Sequence, residues 1–242
     1  VLLVIRCLIL AVLLALLFVF SMVFCVVRPR HRDNVHVLAQ IFSKVCPILG
    51  IKLVLRLPKK HYEGPNVYVA NHQNNYDIFT HTAAVPKGTV SLGKKSLAWM
   101  PLFGQIYWLS GNILINRSNR HRAVSTMAAV AEKMKKNRLS VWIFPEGTRS
   151  RGRGLLPLKS GAFHTAIAAN APVIPVVASS QNNINLNRWN NGTVIIEMLA
   201  PIETQSLTKS DARTLADNVF EIMKVKLNDL NVEADKLSSN KR

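Results

Sequence analysis

Two short stretches hold the side chains best suited to chemistry. In "NHQNNYD" a histidine, His72, stands five positions before an aspartate, Asp77. A carboxylate on one imidazole nitrogen fixes the tautomer and leaves the other nitrogen free to take a proton from a hydroxyl. On a regular helix a five-residue offset turns two side chains about 140° apart, so a turn must separate the pair if they are to meet. The asparagines between them suit such a turn. In "FPEGTRSRGRG", Glu146 and Gly147 precede Arg149, Arg151 and Arg153. The arginines offer planar forks for a phosphate, Pro145 and Gly147 allow a tight approach, and Glu146 either orders the loop or accepts a substrate hydroxyl. "GNILINR" brings Arg117 to the end of a third apolar run.

These stretches share a setting. Each follows a short β-rich run: "NVYVA" before His72, "SVWIF" before Glu146 and "NILI" before Arg117, with "VIPVVA" and "TVIIEML" further on. Between the runs lie helical patterns. In "HRAVSTMAAVAEKMKKN" Val124, Met127, Ala131 and Met134 share one face, and Lys135 and Lys136 suit the helix C-terminus. This alternation predicts one α/β domain with a largely parallel sheet flanked by helices, whose ligands gather at the carboxyl ends of the strands. A further amphipathic helix is expected from Ser210 to about Leu230, with "KLSSNKR" as a frayed end.

The N-terminal region has another character. Cys7 to Val27 carries no charged residue, and a helix of that length measures roughly 31 Å, the thickness of a bilayer's hydrocarbon layer. Arg6 lies at one end, where it can snorkel, and Arg28, Arg30 and Arg32 lie beyond the other, which predicts a cytosolic position for the rest of the chain. The run is too long for a signal peptide and lacks a small-residue cleavage site. From Val35 to Leu49 apolar positions recur at helical spacing, predicting an amphipathic helix that lies at the bilayer interface or, alternatively, packs as an ordinary core helix. Lys52, Arg56, Lys59 and Lys60 stand close behind to meet anionic headgroups. The expected plan is a membrane helix over 1–27, a basic amphipathic segment over 28–63, the α/β core over 64–201 and a C-terminal helix and tail over 202–242. Cys7, Cys25 and Cys46 suggest no disulfide framework.

The net charge of +18, from 31 Lys and Arg against 13 Asp and Glu, predicts a polyanionic partner. A membrane-tethered RNA-binding protein is one rival reading. It lacks the aromatics that stack bases, which make up 7% of the chain and are missing between Thr148 and Leu155, so no nucleic-acid partner is expected. A metallohydrolase using His72, Asp77 and His81 is the other. A covalent acyl-enzyme is disfavoured, because there is no G-x-S-x-G and the cysteines lie outside the α/β core.

The blocks "NHQNNYD", "GNILINR", "FPEGTRS" and "VIPV", in this order and at these separations, resemble those of the glycerolipid acyltransferase superfamily. The resemblance runs from about Gly64 to Pro201. With the apolar N-terminus and "LGKKSLAWMPLFGQ", it is nearest to the bacterial enzymes that acylate 1-acyl-sn-glycerol 3-phosphate. It implies His72 as base with Asp77 as its partner, and Glu146 and Gly147 in the acceptor site. It also implies that Arg117 and Arg149 hold the phosphate, assisted by Lys94 or Lys95. The implied partners are lysophosphatidic acid, an acyl thioester of acyl carrier protein or coenzyme A, and an anionic membrane, with no metal or cofactor. The residues read here fit glycerol 3-phosphate as an acceptor equally well.

Overall fold

The computed structural model describes residues 1–59, 62, 64–115 and 120–239, with the backbone alone for 120–125. Its centre is a seven-stranded sheet: β1 (Lys52–Arg56), β2 (Val67–Ala70), β3 (Thr89–Lys94), β4 (Ile113–Ile115), β5 (Ser140–Ile143), β6 (Val173–Ala178) and β7 (Thr193–Met198). The order across the sheet is β1-β7-β6-β2-β5-β3-β4, and every neighbouring pair is parallel except β6 with β7.

The central strands are buried on both faces, so they read as continuous apolar runs rather than alternating ones. Their side chains nevertheless divide by the two-residue period. Val67, Val69, Val141, Ile143, Val173 and Val177 point to one face. There they pack with α5 (Arg120–Asn137), α6 (Gly161–Ala169) and α7 (Ala212–Ser239). Tyr68, Ala70, Trp142, Ile174 and Val176 point to the other. That face is covered by α1 (Leu2–Val27), α2 (Asn34–Ser43) and the short α3 (Asp77–Thr80), which continues as a 3-10 turn, His81–Ala84.

Several expectations change. The sheet begins at Lys52, ahead of the boundary expected at 64. β1 is an edge strand whose Arg56 is bonded to Glu197 at 3.3 Å and to Glu233, so its charge serves the fold rather than a headgroup. Charged side chains on an edge strand also discourage pairing with another chain. β3 is a second strand not foreseen. The helix expected over 35–49 stops at Ser43 and continues as turns, and Leu38, Ala39, Val45, Cys46 and Leu49 are buried in the protein's own core. α7 runs to Ser239 because Leu230 and Ala234 still pack against the sheet, so Lys236 to Ser239 are helical rather than frayed.

α1 is long and apolar enough to cross a membrane. It lies against the domain, however, and is held at both ends. Arg6, 4% exposed, donates to the carbonyl oxygens of Leu186, Arg188 and Trp189, instead of reaching outward to solvent. Past the other end, the Arg30 amide donates to the Leu109 carbonyl at 2.9 Å, at the close of α4 (Phe103–Leu109). Val4, Leu8, Val12, Leu16, Val19, Val23 and Val26 follow one another at helical steps and form an exposed apolar stripe.

Candidate active site

The carboxyl ends of β2, β3, β5 and β6 share one edge of the sheet, and the site is built there. The chain leaves β2 at Ala70, makes a turn, and re-enters helical backbone at Asp77. The aspartate organises that turn. Its Oδ2 accepts from the amides of Gln73 at 2.7 Å and Asn74 at 3.1 Å, reaching back across the turn, while Asn74 makes the Asx contact by accepting from the Tyr76 amide at 2.9 Å. Asp77 Oδ2 also meets His72 Nδ1 at 2.6 Å. A carboxylate only accepts, so Nδ1 carries the proton and Nε2 of the neutral ring keeps its lone pair. His72 retains 20% side-chain exposure, and its Nε2 has no protein partner among the described residues. Its ring stacks on Phe144, 4.2 Å between centroids, which fixes the plane of the imidazole.

Asp77 itself is 3% exposed. Burial pushes its carboxyl upward, but the neighbouring His81, the His72 bond and the Gln73 amide outweigh that and hold it below the usual carboxylate range. His81, on the turn after α3, lies 3.6 Å from Asp77 Oδ1, and burial keeps its imidazole neutral by pushing it down. Its Nε2 is buried without a hydrogen-bond partner. Among the described residues no three His, Cys, Asp or Glu side chains converge as a metal would require, and the trio of His72, Asp77 and His81 forms no such group.

β5 supplies the second loop. Glu146 is 3% exposed, and both of its oxygens are taken by backbone: Oε1 by the His72 amide at 2.5 Å, Oε2 by the Leu156 amide at 3.0 Å. Burial pushes this carboxyl up, opposed by those two amides. The loop returns the contact, as Ser150 N donates to His72 O at 2.8 Å and Arg151 N to Gln73 O at 3.0 Å. Glu146 thus clamps the turn that carries His72 to the arginine loop. Gly147 has φ +74, and a β-carbon there would meet the Lys159 ammonium at 2.6 Å. Arg149 is exposed at the rim. Arg153 is tied back instead, donating to Ser150 O at 2.8 Å and Arg149 O at 3.3 Å. Lys94 ends β3 and Lys95 follows it, both exposed at the same edge. Arg117 lies outside the described residues.

Three contributors were not foreseen. Lys159 crosses Gly147, and Gln73 and Gln181 tie the turn to the end of β6. Lys159 had a signal, since it lies in the same basic loop region as Arg149. Gln73 and Gln181 had none, because they meet across more than a hundred positions of chain.

Residues 52–179 match the family model described as Acyltransferase, which covers more than half of the chain. The chain belongs to the acyltransferase family. It is 50% identical over 218 residues to a Salmonella typhimurium protein named 1-acyl-sn-glycerol-3-phosphate acyltransferase, covering 89% of each. It is 49% identical to the Escherichia coli protein of that name over 217 residues, again 89% of each. The human protein named 1-acyl-sn-glycerol-3-phosphate acyltransferase alpha is 34% identical over 204 residues, 82% of this chain and 72% of that one. The crystal structure of the 1-acyl-sn-glycerophosphate acyltransferase PlsC from Thermotoga maritima superposes with a TM-score of 0.67 over 90% of this chain and 95% of that one. At 23% identity, that likeness speaks for the fold. In this acyltransferase the matched span begins at β1 and ends one residue past β6, so it takes in both loops of the site and the edge strand as well.

Proposed function

We propose that this acyltransferase moves an acyl group from an acyl thioester to the free hydroxyl of 1-acyl-sn-glycerol 3-phosphate, forming phosphatidic acid. The observation that carries the reading is the 2.6 Å bond from His72 Nδ1 to a buried, ionised Asp77, which leaves Nε2 as a proton acceptor at the strand edge. The names of the relatives at 45–50% identity supply the substrate class.

The reaction follows from that arrangement. The acceptor hydroxyl oxygen attacks the thioester carbonyl carbon while its proton passes to His72 Nε2. The tetrahedral intermediate collapses, the C–S bond breaks, and the leaving thiolate takes the proton back from His72. A thiol titrates near pH 8.5, roughly, so the sulfur leaves without a strong acid. Asp77 holds the tautomer and stabilises the transient imidazolium. Arg149, Lys94, Lys95 and Arg117 receive the acceptor's phosphate, and Gly147 keeps the loop close enough for them to reach it. The donor is the thioester of acyl carrier protein or coenzyme A, both polyanions that suit a chain of net charge +18.

The protein is held at a membrane through the apolar stripe of α1, at the cytosolic face of a bacterial inner membrane. Arg28, Arg30 and Arg32 beside that stripe meet anionic lipid. Purified protein assayed with 1-acyl-sn-glycerol 3-phosphate or glycerol 3-phosphate, and with either donor, tests the reading. Phosphatidic acid is the expected product, and acylation of glycerol 3-phosphate alone would overturn the choice of acceptor.

A further inference from the structure

His72 accounts for only one oxygen of Asp77. The other, Oδ1, accepts from Nε2 of Gln181 at 2.9 Å. Gln181 lies three residues past β6, is 2% exposed, and is fully engaged. Its Oε1 accepts from the Thr80 hydroxyl at 3.2 Å, and its amide N–H donates to Gln73 Oε1 at 2.9 Å. Gln73 is locked in turn, with Nε2 donating to the carbonyls of Ala178 and Ser179 at 3.0 and 2.8 Å and its own amide on Asp77 Oδ2. The carboxylate can only accept, so the network assigns the orientation of the Gln181 amide without ambiguity.

We propose that Gln181 is a positioning residue of the acyl transfer, fixing the rotamer of the Asp77 carboxylate so that Oδ2 faces His72. This rests on His72 acting as the base. Without the Gln181 donor, Oδ1 keeps only His81 Nδ1 at 3.6 Å, beyond hydrogen-bond range, so the carboxylate is held through Oδ2 alone and can pivot about those bonds toward His81, bending the bond to His72. The ionisable groups around Asp77 are His72 from the turn after β2, His81 from the turn after α3 and Glu146 from the loop after β5. None of them can replace the missing donor on Oδ1, because His81 is too distant and the Glu146 oxygens are held by backbone amides. Substrate binding does not depend on this bond, whereas the charge that develops on His72 during transfer does. Its loss therefore falls on kcat rather than on KM.

Two substitutions in the full-length protein separate this role from packing. Gln181→Met keeps the length of the side chain and loses the donor. Gln181→Glu keeps the shape and donates only while its carboxyl is protonated. Phosphatidic acid formation is followed for both over an acid-to-alkaline series, as the ratio of variant to wild-type kcat at each pH. We expect Gln181→Met to lose about ten- to a hundredfold in kcat at every pH, the worth of one hydrogen bond to a charged group, with both KM values held. Gln181→Glu should approach wild type on the acid side and fall away on the alkaline side, where a second carboxylate faces Asp77. Flat, wild-type ratios for both variants would overturn the proposal, as would losses that appear in KM and show no pH dependence in the Glu variant. If the Met variant fails to fold, the pH profile of the Glu variant decides. A wild-type protein that makes no phosphatidic acid would strike at the proposed reaction itself, while an active wild type with indifferent variants strikes only at Gln181.

Discussion

Glu146→Ala tests whether this carboxylate builds the site or touches the acceptor. Truncation leaves two part-buried amides, of His72 and Leu156, without the charged oxygen each had met. A hydrogen bond to a charged group contributes about 1.5–3 kcal/mol, so the pair is worth about 3–6 kcal/mol. Removing a carboxylate that burial already disfavours returns part of this, which leaves an expected loss of about 2–4 kcal/mol in stability. The loss has a catalytic companion. Glu146 Oε1 fixes the backbone of the base itself, and a misplacement of about 1 Å costs on the order of a hundredfold in rate. Denaturant midpoints in one fixed detergent measure the first effect, and initial rates with the acceptor varied measure the second. Glu146→Gln keeps one acceptor oxygen and should lie between. If Glu146→Ala keeps its midpoint and its kcat but raises the acceptor KM, the clamp is wrong and the carboxylate binds substrate.

His72→Ala should lower kcat by about 10²- to 10⁴-fold while a thermal melt still shows a cooperatively folded protein, and near-normal turnover would remove His72 from the chemistry. Arg149→Ala should lower kcat/KM for the acceptor by about 1.5–3 kcal/mol with little change for the donor. Arg153→Ala, whose guanidinium holds two loop carbonyls, should lower the melting temperature instead, and an equal effect of both on acceptor use would undo the distinction. The lowered pKa of His81 gives a signed pH dependence. Unfolded imidazole takes a proton first, so the stability His81 contributes is present above about pH 6.5 and is lost as pH falls through the window below it. Melts of wild type and His81→Gln across that window should diverge in slope, and parallel curves would refute the assignment.

The five-residue offset of His72 and Asp77 left their meeting open, requiring only a turn between them, and it was the resemblance of the whole block that made the pair legible. Their support was not. Gln181 reaches Asp77 from 104 positions away, through strand neighbours that only the folded sheet brings together. β1 and β3 were illegible for a different reason. β1 shows one leucine on each side of a valine between charged ends, which reads as a basic surface segment until Glu197 and Glu233 are seen to hold Arg56. β3 contains Ser91 and Gly93, and Gly93 is required by the close approach of the Tyr107 hydroxyl, 2.6 Å from where a β-carbon would stand. The acid-base reading of the carboxylates also divides on burial rather than sequence. Asp77 and Glu146 are equally hidden, yet one is held ionised by imidazoles while the other serves two amides.

The apolar N-terminal run gives its length in the sequence but not its posture. A helix apolar all round has no marked face, and only Arg6 hints that one side returns to the protein. Its guanidinium is bonded to the carbonyls of Leu186, Arg188 and Trp189, in the same loop between β6 and β7 whose first turn presents Gln181 to Asp77. The helix that carries the exposed apolar stripe and the loop whose Gln181 is bonded to Asp77 are therefore joined through a buried arginine. A lipid acceptor keeps its acyl chain in the bilayer while its hydroxyl must reach His72. In the proposed reading α1 docks along the domain, rather than carrying the domain from its end, so that the exposed apolar stripe and the strand edge belong to one packed unit. Such an arrangement spares the substrate a full withdrawal from the hydrocarbon, a cost of about 0.8 kcal/mol for every methylene exposed to water.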